Sequence, residues 1–270
     1  MSYGFRTGGW GGPSYRSFGF GFFITPVVKR LVIANAAVFV ALALLRVFSP
    51  TGQRALVELF GLVPAAFLFR LHVWQPLTYL FLHGSFLHLF FNMFGLWMFG
   101  SALERDWGAR RFLRFYFLTG GGAALFSVLM TLVSVKAGWV APRGPMDPLL
   151  IPTIGASGAL YGILLAFGLL YPNTPILFMF LFPIPARIFV LIFGVLAFLS
   201  ALEGPGTGIS HVAHLGGMLV GYLYLRGDWM YYRAVNRYRD WRHRQARRKF
   251  EVYMRERDAE NDRSGSRWIN

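Results

Sequence analysis

Cysteine is absent from the 270 residues, which excludes a disulfide framework, a thiolate metal site and a cysteine nucleophile. Charge is scarce: 14% of the side chains are charged, against roughly 25% in an ordinary soluble domain. The HExxH pair of helix-borne zinc sites is missing as well. No Asp or Glu lies deep inside any long apolar run, so no carboxylate is on hand there to orient a catalytic base. What remains is a chain 55% hydrophobic and 18% aromatic, with long uncharged stretches between residues 27 and 226. That pattern describes one membrane-embedded core with a tail at each end.

Six apolar runs, at about 31–48, 85–103, 112–135, 154–170, 186–202 and 209–225, are bounded by Gly, Pro and charged residues. They predict an all-α bundle of six transmembrane helices filling residues 26–226. The first run follows Lys29-Arg30, is longer than a signal-peptide core and lacks a convincing cleavage site, so it is expected to remain as an anchor. Residues 1–25, rich in Gly, Phe, Tyr and Ser, read as a flexible tail, and residues 227–270, with 12 basic and seven acidic side chains, as a basic one. Six crossings put both tails on one side. Calling that side cytoplasmic places 22 of the 27 Lys and Arg there and leaves Arg46, Arg54, Arg70, Lys136 and Arg143 outside, as the positive-inside rule requires. The expected location is a bacterial cytoplasmic membrane. The formal charge of +15 is accounted for by this topology and by anionic lipid, not by nucleic acid. Residues 49–74 are too charged to span and carry Leu56, Leu59, Phe60, Phe67 and Leu68, which predicts an interfacial outer loop.

Polar side chains inside spans are costly and usually face the bundle interior. Here they are His88 and Asn92 in the second span, Ser157 in the fourth, and His211 and His214 in the sixth, with His83 just before the second. These three spans all run from outside to inside, so their first turns lie at one level. Counted from the expected helix starts, His88, Asn92, Ser157 and His214 fall roughly 5 to 10 Å below the outer edge. His88 and Asn92 are i,i+4 neighbours, as are Ser157 and Tyr161, and His214 shares a face with Gly217 and Gly221, where two backbones can approach closely.

Serine becomes a nucleophile when a base removes its proton, and neutral histidine suits that task near pH 7. Ser157 and His214 supply the pair; without a carboxylate at this depth the arrangement is a dyad, with Tyr161 available to stack on the imidazole. Asn92, His88 and the Ser157 backbone N–H are natural donors to the oxyanion of a tetrahedral intermediate. The reading is peptide-bond hydrolysis near the outer face, with neither metal nor other cofactor.

The segments His83-Gly-Ser-Phe-Leu-His88-Leu-Phe-Phe-Asn92, Gly155-Ala156-Ser157-Gly158 and Ala213-His214-Leu215-Gly216-Gly217-Met218-Leu219-Val220-Gly221 together resemble the rhomboid family of intramembrane proteases, in the family's order. The resemblance covers about residues 26–226. It implies Ser157 as nucleophile, His214 as base, His88 and Asn92 at the oxyanion, Tyr161 packed on the histidine, Gly217 and Gly221 in a close helix contact, and Glu104 as a structural acid at the inner end of the second span. It also implies single-span membrane proteins as substrates, cut near their outer end, and a gate formed by the fifth span and the loop before the sixth. Phe189, Phe193 and Phe198 could line that gate, although lipid-facing packing is the preferred reading for phenylalanines in so phenylalanine-rich a chain. Two residues depart from the family pattern: Gln75 follows Trp74 where Arg is common, and His211 stands where Asn is frequent. The oligomeric state has no sequence signature.

Each residue alone has a structural reading. Small residues such as Gly155-Ala156-Ser157-Gly158 commonly mediate helix packing, and a lone intramembrane histidine is often a buried hydrogen-bonding group. His72, His83 and His211 are read as structural, His83 as a cap of the second span or a contact to the first loop. The same residues admit three rival functions: a metal-dependent membrane protein using His83, His88, His211 and His214, an inactive relative serving as a membrane chaperone or binding protein, and a transporter with a histidine relay. Against the first, His83 and His88 are five apart and would diverge on a regular helix. Against the second, both Ser157 and His214 are retained, and against the third, no polar path crosses to the other face.

Overall fold

The computed structural model describes residues 23–139, 147–178, 181–202, 211–227 and 240–241. Most of both expected tails, with residues 203–210 and so the expected gate loop before the sixth span, lies outside these residues. The chain divides into two compact units, 1–221 and 222–270. Of the second, residues 222–227 complete a helix and 240–241 are helical.

Helix α1 (Pro26–Phe48) leads into α2 (Pro50–Phe60) and α3 (Pro64–Phe69), a short α4 (Gln75–Thr78) that tightens into a 3-10 turn at Tyr79–Phe81, and a long helix built from α5 (Phe86–Gly95), a π turn (Leu96–Gly100) and α6 (Ser101–Trp107). Helices α7 (Ala109–Lys136), α8 (Ser157–Leu170) and α9 (Ala186–Leu202) follow, then α10 over residues 211–227. Three helices, Pro26–Phe48, Phe86–Trp107 and Ala109–Lys136, are long and apolar enough to cross a membrane; α8 and α9 are apolar but shorter. The molecule is an integral membrane protein of mostly helical fold. The all-α expectation has one exception among the described residues: strands β1 (Pro175–Phe178) and β2 (Phe182–Pro185) pair as an antiparallel hairpin. Prolines at 172, 175, 183 and 185 forbid helix there and favour extended backbone in the residues before them.

The residues at 49–74 fold because their helix ends find partners. The last carbonyls of a helix have no partner within it. For α2 these are capped by side chains of the next segment: Gln75 Nε2 donates to Glu58 O at 2.9 Å, Trp74 Nε1 to Leu59 O at 2.8 Å and Thr78 Oγ1 to Phe60 O at 2.6 Å. Gln75 is fully buried and its Oε1 accepts from Val63 N at 3.0 Å. A neutral amide, which donates and accepts at once, serves both contacts.

At the opposite end of the long helix, the Glu104 carboxylate caps the N-terminus of α1. It accepts from Thr25 Oγ1 at 2.5 Å and from the backbone N–H groups of Val27 and Val28, each at 3.0 Å. An acid suits the positive end of a helix dipole and satisfies donors that no helical carbonyl can reach. Thr25 thus belongs to the core and not to the tail. Asn92 and Glu104 are both buried. On an unbroken α-helix, residues twelve apart point about 120° apart; the one extra residue taken up by the π turn reduces that to about 20°. The turn brings the polar group at each end of this helix onto a common inward face.

Candidate active site

The approach to Ser157 is extended, not helical. Leu62 and Thr153 exchange backbone hydrogen bonds at 2.9 and 2.8 Å in an isolated antiparallel bridge, and Gly155 N donates to Tyr79 O at 2.9 Å. Gly155 then takes φ +122°, and a Cβ there would lie 2.6 Å from His88 Nε2. Only glycine meets both conditions. Helix α8 accordingly begins at Ser157 itself, not at Ile154 as the apolar run suggested. The serine reaches its depth on an extended strand and sits at the first helical position, where backbone N–H groups are free of helical partners.

Glycines bring α10 onto α8. A Cβ on Gly217 would lie 1.9 Å from the carbonyl oxygen of Gly158, and one on Gly221 would lie 3.2 Å from Cα of Gly162. This backbone contact sets the distance between the two reactive side chains: Ser157 Oγ and His214 Nε2 are 2.8 Å apart. Tyr161 lies flat on the imidazole, ring centroids 4.2 Å apart and planes 4° from parallel. His214 is buried, and its Nδ1 has no hydrogen-bond partner among the described residues. For Nε2 to accept the Ser157 proton, the neutral ring must carry its hydrogen on Nδ1. The ring is oriented by stacking and by the serine, and no acid among the described residues bonds to its Nδ1.

His88 presents Nε2 to Gly155, beside the serine. Asn92 is buried and its amide nitrogen donates to His88 O at 2.7 Å, while its Oδ1 has no partner among the described residues. The two share one helix face as the i,i+4 spacing predicted.

His83 is not the cap of the second span. Ser85 is the cap of α5, its hydroxyl accepting from His88 N at 3.2 Å. His83 lies before that cap, off the helix, so its ring meets His88 edge-on at 5.0 Å instead of diverging from it. Its Nε2 faces the N–H of Ala156 at a long 3.5 Å. Burial, and then the neighbouring His88, push its pKa down to about 3, which keeps the ring neutral. His72 stacks on Trp74 at 4.8 Å, a structural contact. His211 meets the His214 ring edge-on at 5.6 Å. Among the described residues no three His, Asp, Glu or Cys side chains gather as metal ligands.

Phe189 and Phe193 do not face outward as preferred for them. Phe189 is buried, Phe193 packs on it at 4.6 Å and on Tyr161 at 6.5 Å, and only Phe198 is exposed. Ring packing from α9 thus reaches the tyrosine that holds His214. Several buried polar groups fall outside the sequence candidates, Asn35 and Tyr79 among them. Asn35 in α1 donates to Leu31 O at 2.8 Å, and its signal, an amide inside the first apolar run, was present. Tyr79 donates to Gly120 O at 2.8 Å and touches the space a Cβ on Gly158 would need; nothing marks it out in a chain so aromatic.

The family model described as Rhomboid domain matches residues 70–230. The chain is 34% identical to Rhomboid protein 1, mitochondrial, of Saccharomyces cerevisiae over 63% of its own length and 45% of the yeast protein's. It is 32% identical to Rhomboid-like protein 16, chloroplastic, of Arabidopsis thaliana over 81% of its length and 67% of that protein's. It is 31% identical to Rhomboid protease GluP of Bacillus subtilis over 68% of its length and 32% of that protein's. The chain spans about half the length of the first two relatives it matches, 45% and 56%. A domain match over most of the chain, with relatives in bacteria, mitochondria and chloroplasts, establishes that this protein belongs to the rhomboid family.

Proposed function

We propose that this chain is an intramembrane serine endopeptidase that cuts single-span membrane proteins near the outer end of their transmembrane segment. The carrying observation is the 2.8 Å contact between Ser157 Oγ and His214 Nε2, at the meeting of two helices whose glycines leave no slack. His214 takes the hydroxyl proton as Ser157 attacks the scissile carbonyl. The developing oxyanion is met by the Ser157 N–H, His88 and Asn92. The imidazolium then protonates the leaving amine, and water, activated by the same histidine, releases the acyl group from Ser157. Six spans carry this site, with α8, α9 and α10 as the last three, both termini cytoplasmic and the serine open toward the outer face of a bacterial cytoplasmic membrane. Support for the orientation comes from the basic residues, 22 of 27 on one side.

The test uses protein reconstituted in vesicles with a panel of single-span substrates. Ser157→Ala and His214→Ala should abolish cleavage, a chelator should leave it intact, and Asn92→Ala should lower kcat roughly 10²- to 10³-fold in a folded protein. Cleavage that survives loss of Ser157 or His214 would overturn the dyad.

A further inference from the structure

The hairpin between α8 and α9 is an unexpected element in a membrane protein, because sheet edges expose backbone donors that lipid cannot satisfy. Its register pairs Pro175 with Pro185, Ile176 with Ile184, Leu177 with Pro183 and Phe178 with Phe182. Two prolines facing each other exchange no hydrogen bond. The ladder therefore runs through Ile176 with Ile184 and Phe178 with Phe182, continuing the Ala186 N to Thr174 O bond of 2.9 Å at the hairpin base. The nitrogens turned away from the partner strand are those of Pro175, Leu177, Pro183 and Pro185. Three of these four positions are proline and carry no hydrogen.

The side chains match the backbone. From Pro175 to Ala186 there is no charged residue and no hydroxyl. Ile176 is buried at 1% exposure, while Leu177, Leu181 and Phe182 stand 57%, 70% and 64% exposed. The hairpin does not project away from the helices: the Phe178 ring packs on Phe189, one turn into α9, at 6.3 Å. Its outer face continues the apolar surface of α9, where Leu191, Val195 and Phe198 are also exposed. With 17 residues, α9 is about 26 Å long, short of the roughly 30 Å of a hydrocarbon core, so its first turn sits at or inside the hydrocarbon boundary. A hairpin folded back along that turn sits there too. Exposed Arg187 at its base can reach lipid headgroups from this depth.

We propose that strands β1 and β2 form a membrane-immersed β-hairpin whose ligand is the acyl chains of the leaflet opposite Ser157, with prolines replacing the edge donors that lipid would leave unpaired. The hairpin packs on Phe189, and Phe189 on Phe193 beside Tyr161, so its lipid contact anchors the helix that packs beside the histidine. This rests on the chain being a membrane protein, not on its being a protease.

The absence of cysteine makes the test direct. Leu181→Cys and Leu177→Cys, each carrying a nitroxide label, are placed in the full chain in phosphatidylcholine vesicles, with Leu191→Cys as a lipid-facing reference and Asp147→Cys as a loop reference. Collision rates with oxygen and with a water-soluble nickel chelate give depth. Labels at 181 and 177 that lie below the lipid glycerol level and resemble 191 support immersion. Labels at or outside that level, or shielded from both reagents by a protein contact, overturn it. Two positions are used so that a fault in one variant does not decide the result.

Discussion

At the scale of single residues, the candidate site is a set of neutral groups held in apolar surroundings, and His83 gives that arrangement a measurable signature. Its folded pKa of about 3 lies below the ordinary 6.5. Between these values the unfolded chain binds a proton that the folded chain does not, so stability falls as pH is lowered through this window. The slope attributable to one such group is at most about 1.4 kcal/mol per pH unit. In detergent micelles the wild type should lose about 2 to 3 kcal/mol more than His83→Gln between pH 6.5 and 4.5, because glutamine can still accept from Ala156 N–H without titrating. Equal losses, read by denaturant or thermal unfolding, would show that His83 is not buried neutral. The candidate site residues were legible in the sequence because polar atoms inside apolar runs are rare: Ser157, His214, His88 and Asn92 stand out for that reason. Gln75 was legible only as a departure; its function, capping α2, depends on carbonyls seventeen and sixteen residues away in a loop without periodicity.

At the scale of elements, apolar runs located the helices well, and turn chemistry located their ends poorly. The fourth run began at Ile154 by composition, yet the helix begins at Ser157, because the bridge to Leu62 and the φ of Gly155 keep the chain extended. The π turn and the hairpin were likewise hidden, since neither breaks the apolar pattern. The contact of α8 with α10, by contrast, was foreshadowed by the spacing of Gly217 and Gly221. Its geometry grades two substitutions. Gly217→Ala places a methyl 1.9 Å from a backbone oxygen that cannot rotate away, whereas Gly221→Ala meets Gly162 Cα at 3.2 Å. The first must part the helices by more than about 1 Å, enough to cost proteolysis roughly 10²-fold or more by misplacing His214 from Ser157. Gly221→Ala should retain most activity. Comparable losses in the two variants, measured with equal amounts of folded protein, would mean that the glycine contact does not set the dyad distance.

At the scale of the whole molecule, the decisive quantity is the number of crossings. Three described helices are long enough to span by themselves, and α8 and α9 are apolar but shorter. Each has a local reason. Helix α8 begins at a serine preceded by an extended segment, and α9 starts from an apolar hairpin that packs on its first turn. Short helices can therefore complete crossings whose remainder is not helical, which length and composition alone do not register. If all six cross, residues 5 and 266 lie on the same side, with Asp147 opposite them. Single cysteines at Phe5, Ser266 and Asp147 in this cysteine-free chain can be labelled by a membrane-impermeant maleimide in oriented membrane vesicles. The first two should react together from the face that Asp147 does not share. With five crossings the ends would react from opposite faces, the basic residues after 227 would be left on the outer side, and the charge argument for orientation would fail with the count.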